Sequence, residues 1–359
     1  MNRSDRRIVH DTAGLNTGEW TVIADDHFIT PVQRFFTRSH AAVPAVDAET
    51  WRLEVGGLVD RPVSFTLDEL IRSFPERTVA ATLVCAGLRR EEYLSVGPLP
   101  GELPWGPEPV STGEWTGVSL ADLLRAVGVS ASARHLEFLG LDTVERHGHH
   151  FGFGGSIDLE KAMAGEVLLA TRINGVPLPP AHGFPLRAIV PGWIGARNVK
   201  WLGRITLLDQ PSDNYFQSKA YRVQRAMNPE NPRDVSDGQV MSAVPLNAAI
   251  IDPVPDQVVI AGRVRVRGWA MGDGGSPLTS VEVSPDAGWS WVRATITHAG
   301  EPWTWSFWEA EITLEPGRHI LAARASDGSG TTQPKSVHET WNVKGYGNNA
   351  WYRVAINAT

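Results

Sequence analysis

A single cysteine, Cys85, stands in a chain of 359 residues, and it narrows what such a chain can become more than any other residue. One thiol cannot close an intrachain disulfide, attach haem through a Cys-x-x-Cys-His motif, hold a thiolate-ligated iron–sulfur cluster or build a zinc-thiolate finger. Packing and hydrogen bonding must therefore hold the fold. The cysteine follows Thr78-Val-Ala-Ala-Thr-Leu-Val, an apolar run suited to a buried strand, and Gly87 just beyond it permits a tight turn. Arg89 and Arg90 come next. Fixed positive charge beside a thiol favours the thiolate, which binds metals and attacks electrophiles; an apolar strand end equally suits an inert core cysteine.

The length predicts two domains, since single cores stop growing near about 250–300 residues. A formal charge of -7 speaks against nucleic acid or an anionic membrane as partner, so any anion site must be a local cluster of basic residues. Met1-Asn-Arg-Ser-Asp-Arg-Arg7 is basic, but no apolar leader core follows and no run approaches about 18 apolar residues. As written the chain reads as cytoplasmic, or periplasmic if a leader has been removed.

In chain order, Phe35-Phe-Thr-Arg38-Ser-His40 places an arginine and a histidine beside aromatics, as an ordinary half-buried strand end also would. Trp51, Leu53 and Val55 alternate as in a strand, and Thr66-Leu-Asp-Glu69 forms a capping box for a helix that Pro75 stops. After a Pro/Gly-rich loop over 98–109, Ser119 is expected to cap an apolar helix over 120–127 that Gly128 ends. Residues 134–142 alternate and deliver Asp142 to a strand end. His147-Gly-His149-His150 reads as a solvated loop, because no carboxylate or cysteine spacing completes a metal site. Phe151-Gly-Phe-Gly-Gly-Ser156 lacks the third glycine of a dinucleotide fingerprint. Asn174-Gly175 marks a hairpin turn after a strand over 167–173. The region from His182 to Trp201 combines glycines, which let backbone approach a ligand, with His182, Arg187, Arg197 and Lys200 as donors for anionic oxygen. A phosphate-bearing cofactor suits it, and so would solvated loops.

Pro, Asn and Asp crowd residues 228–238, a linker between a domain at 1–227 and one at 239–359. Beyond it, short alternating runs at 257–266, 278–283, 289–297, 303–313, 319–325 and 339–343 argue for an antiparallel β-sandwich. Trp303-x-Trp305-x-Phe307 would put its rings on one face, with core packing as the expectation.

The order of the motifs resembles the sulfite oxidase family of molybdopterin enzymes. Phe-Phe-Thr-Arg38-Ser-His, Thr-Leu-Val-Cys85-Ala-Gly-Leu-Arg-Arg90, Glu114-Trp-Thr-Gly-Val-Ser-Leu120, Asn174-Gly-Val-Pro-Leu-Pro, His182-Gly-Phe-Pro-Leu-Arg187, Pro191-Gly-x-x-Gly-Ala-Arg197 and Val-Lys200-Trp-Leu carry it in the first half. Ser284-Pro-Asp-Ala-Gly-Trp-Ser-Trp291, Trp303-Thr-Trp-Ser-Phe-Trp308 and Trp341-Asn-Val-Lys-Gly345 continue it. The resemblance implies a mixed α+β molybdopterin-binding domain followed by an immunoglobulin-like β-sandwich through which the chain dimerises. It implies Cys85 as the thiolate ligand of molybdenum. Phe36, Thr37, Arg38, Ser39, His40, Asp142, His182, Arg187, Asn198, Val199 and Lys200 would hold the pyranopterin and its phosphate. Arg38, Arg90, Trp105, Tyr221 and Lys344 would form the oxyanion pocket. The implied activity is oxidation of sulfite to sulfate by oxygen-atom transfer, without haem in this chain and with electrons leaving to an external acceptor such as cytochrome c.

Two positions depart from the family pattern. Leu88 replaces an asparagine beside the metal ligand, and Lys344 replaces the arginine of the late Trp-Asn-x-Arg-Gly motif. Nitrate reduction, sulfur-compound dehydrogenation and sulfoxide reduction stay open as related activities. Outside the family, a metal-free cysteine hydrolase with His182 as base, or a binding module, would use the same residues differently.

Overall fold

The computed structural model describes residues 7–9, 15–19, 27–224, 235–274 and 276–359. The first half is rich in sheet with few helices. A five-stranded sheet runs in the order Gly154–Asp158, His135–Gly140, Leu202–Leu208, Leu53–Gly57, Val63–Phe65. Its strands are antiparallel except where Leu202–Leu208 lies parallel to Leu53–Gly57. A second sheet runs Val176–Pro177, Leu168–Ile173, Val110–Ser119, Glu76–Val84, with Arg187–Ile189 also paired to Leu168–Ile173. The helix Leu120–Val127 forms because Leu120, Leu123, Leu124 and Val127 fall on one face, and that face is buried between the sheets.

Local signals account for the boundaries. Thr66 and Glu69 close the capping box of the helix Leu67–Ser73, and Gly128 ends its helix at φ 76°. Ser119 precedes that helix but gives it no side-chain cap; strand pairing of Val110–Ser119 sets the helix start instead. Asn174 and Gly175, at φ 50° and 77°, make the hairpin turn before Val176–Pro177. The histidine-rich stretch is itself a hairpin, with His147 and Gly148 at the turn between Val144–Arg146 and His149–Phe151.

The second half has two sheets that share one core. One runs Asn247–Asp252, Gly262–Met271, Ser306–Leu314, Thr295–His298; the other runs Val258–Val259, Tyr352–Ala358, Gly317–Asp327, Leu278–Ser284, Val292–Arg293. Val266 and Trp308 from the first meet Leu321 and Val354 from the second in this core. The expected strand over 289–297 is two pieces, Val292–Arg293 in one sheet and Thr295–His298 in the other. The expected strand over 257–266 divides into Val258–Val259 and the start of Gly262–Met271. Residues 339–343 are not a strand. Ser336 and Glu339 form a capping box there, and the helix Val337–Thr340 takes the segment.

Two joins tie the halves together. Part of the expected linker, 228–234, lies outside the described residues, yet its flanks are pinned, because Arg222–Val223 pairs antiparallel with Gln239–Val240. The second join covers the strand leading to Cys85. Its outer edge receives Trp303–Trp305: Thr82 N donates to Trp303 O at 2.8 Å, and Trp305 N donates to Thr82 Oγ1 at 2.9 Å. Trp305 is buried, whereas Trp303 stays part-exposed with the Lys161 ammonium 4.3 Å above its ring.

Candidate active site

The Glu76–Val84 strand ends where the notional Cβ of Gly195 would stand 3.2 Å from Val84 O, so the Gly195-Ala196 turn can press close beside the thiol. Cys85 N donates to Pro109 O at 2.9 Å, and Leu88 N folds back on Cys85 O at 3.0 Å. Within this turn Gly87 N donates to Cys85 Sγ at 3.4 Å. The sulfur faces a cleft lined from five segments: 36–40, 85–86, 181–187, 195–201 and Tyr221, with Asp142 and Phe153 completing the wall.

The two arginines after the thiol separate. Arg89 adopts φ 60° and turns away into the second half. There it donates to both Glu92 oxygens at 2.7 and 2.8 Å, to Asn247 Oδ1 at 2.8 Å and to Ala350 O at 2.8 Å. Arg90 stays beside the turn. Its guanidinium presses against Gly87, where a Cβ would meet Arg90 Cζ at 2.7 Å, and lies over the Tyr346 ring at 5.0 Å. Leu88 is buried with Ile194, Met241 and Val244. An apolar residue at that position extends the core between the halves and offers the sulfur no side-chain amide.

At the other end of the cleft, cations bond to neutral oxygens rather than to carboxylates. Lys200 Nζ donates to Ser39 Oγ at 2.6 Å and Ala181 O at 3.1 Å. Arg187 Nη1 donates to His182 O at 3.1 Å, and its buried Nε makes no hydrogen bond among the described residues. Arg38 Nη1 donates to Asn16 Oδ1 at 2.9 Å and to Ser39 O. Burial, and then the Arg187 charge, push Lys200 well below its ordinary pKa. Burial pushes Arg187 down to about 9, still charged at neutral pH. Burial, Arg187 and Lys200 together take His182 down to about 3, so its ring is neutral. His40 is lowered well below its usual value by burial and by Arg38, and its Nε2 lies 2.9 Å from Tyr221 Oη. Asp142 is raised by burial, against the pull of a hydrogen bond from Phe153 N at 2.9 Å.

Of the residues singled out from sequence, Phe36 to His40, Cys85, Asp142, His182, Arg187, Asn198, Lys200 and Tyr221 line this cleft. Asn198 does so while its amide is spent on backbone, accepting from Val190 N at 2.7 Å and donating to Ile194 O at 3.0 Å. Val199 points the other way, into the core with Leu186 and Leu202. Arg90 and Trp105 lie behind the lining, Trp105 fully buried. Lys344 is not in the lining either; its ammonium pairs with Glu102 at 3.3 Å. Ala86, Phe153, Ala181, Gly195, Ala196 and Trp201 also line the cleft. They were not singled out, since apolar and small residues carry no chemical signature; the glycine density at 192–195 was the available hint. Among the described residues, no group of three or more His, Cys, Asp or Glu side chains could hold a metal, His147, His149 and His150 included.

A soft sulfur at one end, and at the other buried cations with an orphaned guanidinium donor, suit a group that carries both a metal and an anionic phosphate. Comparison with known proteins agrees. Residues 40–216 match the oxidoreductase molybdopterin binding domain and residues 239–359 the Mo-co oxidoreductase dimerisation domain. The chain is thus a molybdopterin-dependent oxidoreductase. Sulfite oxidase from Gallus gallus is 36% identical over 92% of this chain and 73% of its own length. Nitrate reductase [NADH] 2 from Phaseolus vulgaris is 37% identical over 92% of this chain, which spans 39% of that protein's length. The solved structure of the sulfane dehydrogenase SoxCD from Paracoccus pantotrophus superposes with a TM-score of 0.77 at 27% identity, covering 92% of this chain and 83% of that one. The chain belongs to the sulfite oxidase family. No described helix is long and apolar enough to cross a membrane.

Proposed function

We propose that the chain oxidises sulfite to sulfate at molybdenum, with water supplying the oxygen: sulfite and water give sulfate, two protons and two electrons, the electrons passing to an external acceptor such as cytochrome c. The observation that carries this reading is one cleft joining the only thiol of the chain to buried cations whose hydrogen bonds, among the described residues, go to neutral oxygens. When bound, the molybdopterin supplies the oxo-transfer and redox chemistry. The chain holds it with Cys85 at the metal, with Arg187, Lys200, His182 and Arg38 toward its phosphate, and with Phe36, Thr37, Ser39, His40, Asp142, Asn198 and Val199 shaping the surrounding backbone. On the oxyanion side Tyr221 would line the cleft, with Arg90, Trp105 and Lys344 behind it. A desolvated oxyanion is costly unless paired, and Arg38 and Arg90 are the groups that offset this. The imidazole of His40, kept neutral by burial and the Arg38 charge, is hydrogen-bonded to the Tyr221 hydroxyl and so fixes that hydroxyl in the cleft lining.

In the same reading, 1–227 is the catalytic domain, 228–238 the linker, and 239–359 an immunoglobulin-like sandwich that pairs two copies of the chain; the match of 239–359 to a dimerisation domain supports this. Nitrate reduction is the second reading, because nitrate reductases match as well as sulfite oxidases do. Cys85→Ser decides the central assignment: the variant should fold and keep pterin, yet lose at least about a hundredfold in sulfite turnover with ferricyanide, since a hard oxygen replaces a soft donor. Turnover near that of the wild type would refute it. Nitrate turnover with a reduced viologen, without sulfite turnover, would select the second reading.

A further inference from the structure

Behind the cleft lining, where Tyr346 stacks on Tyr221 and Arg90 lies over the Tyr346 ring, one carboxylate stands between two cations. Glu102, in the loop 98–109, places Oε2 3.5 Å from Arg90 Nη2 and Oε1 3.3 Å from Lys344 Nζ. All three side chains are at least three-quarters buried. Arg90 is fixed by Nη1 donating to Leu103 O at 2.9 Å and Nε donating to Gly345 O at 3.2 Å, so Nη2 is the edge it shares with Glu102. The guanidinium also packs on Gly87, whose N–H reaches the Cys85 sulfur, which puts the Arg90 end of the triad beside the thiol turn. Among the described residues Arg187 and Lys200 donate their hydrogen bonds to neutral oxygens. Here two cations and one carboxylate leave a single net positive charge.

We propose that Glu102 is a specificity-determining residue that selects oxyanions by charge, disfavouring doubly charged ones at this wall. The inference rests on the oxo-transfer reading above. An oxyanion in the cleft meets through this wall the charge of Arg90 together with that of the carboxylate already paired to its Nη2, and Coulomb repulsion from that carboxylate is twice as large for a dianion as for a monoanion. Partial burial keeps the repulsion from being screened as it would be at the surface. Sulfite carries one or two negative charges near neutral pH, whereas sulfate carries two. Glu102 therefore weakens the hold on product more than the hold on singly protonated sulfite, and so favours release.

Calorimetric titration of the cofactor-loaded protein with sodium sulfate and with sodium nitrate tests this without turnover. Glu102→Gln should tighten nitrate about threefold and sulfate by about the square of that factor, roughly tenfold. Glu102→Asp, which keeps the charge, should stay close to wild type for both. Lys344→Met gives an independent arm in which sulfate weakens about tenfold and nitrate about threefold. Equal factors for the two anions in Glu102→Gln would mean that the side chain blocks access rather than selecting charge, and would overturn the proposal, as would no change in either anion. Failure of the activity reading is separate: it shows as absent sulfite turnover by molybdenum-loaded wild type, whatever the binding ratios.

Discussion

Removing the guanidinium of Arg89 is the sharpest test of how the thiol turn is held. Arg89 is fully buried, and its donors satisfy both Glu92 oxygens, Asn247 Oδ1 and Ala350 O, while its Cζ lies 4.8 Å from the Tyr352 ring centroid. Truncation to methionine keeps much of the volume but takes the guanidinium from Asn247 Oδ1, from Ala350 O and from a largely buried carboxylate, to which Asn348 Nδ2 still donates at 3.1 Å. Losing one partner of a buried pair costs about 3–5 kcal/mol, a large share of a total stability of roughly 5–15 kcal/mol. In urea, Arg89→Met should unfold at a midpoint lower by about 1 M or more, taking a slope of about 3 kcal/mol/M. The double variant Arg89→Met with Glu92→Leu should recover part of the loss, because no buried charge is left alone. The readout is the pair of midpoints by tryptophan fluorescence and circular dichroism, which also reports whether the halves unfold together. If Arg89→Met unfolds within about 1 kcal/mol of wild type, the guanidinium does not hold the halves together and the reasoning fails.

Two further outcomes follow from the cation end of the cleft. Arg187→Gln should lower molybdenum and pterin content of purified protein about tenfold or more, because a charge-assisted contact to phosphate is worth roughly 1.5–3 kcal/mol; unchanged pterin fluorescence after denaturation would refute it. His182, held near 3 in the fold against about 6.5 unfolded, is neutral in the native state over the whole range between. Its contribution to stability is thus fully present above about pH 6.5 and falls as acid protonates the unfolded chain, by about 2 kcal/mol at pH 5. His182→Asn should lose less stability than wild type between pH 7.5 and pH 5, and equal losses in the two proteins would contradict the assignment.

Where local chemistry decides conformation, the chain could be read directly. Thr66 with Glu69, Gly128, and Asn174-Gly175 each act within a few residues, and each stands where its turn or cap requires. The run 339–343 misled because its alternation imitates a strand, although Ser336-x-x-Glu339 carried the helix signal. Cys85 and the cations of 182–201 were legible from their own chemistry, but that they share one cleft was legible only through the order of motifs, since five segments must converge before any of them faces another. Partners were not legible at all. Arg89 and Arg90 are adjacent and chemically alike, yet one left-handed residue sends them to different neighbours. Lys344 announces a charge, but nothing near it in sequence announces Glu102, which sits in a loop that reads as a spacer.

The strand that delivers Cys85 is an edge strand of its own sheet, and the segment around Trp303–Trp305 covers that edge from the other half of the chain. An uncovered edge is a template for sticking to other molecules. The two halves are therefore poor candidates for shuffling between proteins: a catalytic half expressed alone would bare the strand edge at Thr82, within the buried stretch 81–84, and stick to its neighbours before its chemistry could be tried. Descent as a pair is built into the hydrogen bonds of Thr82.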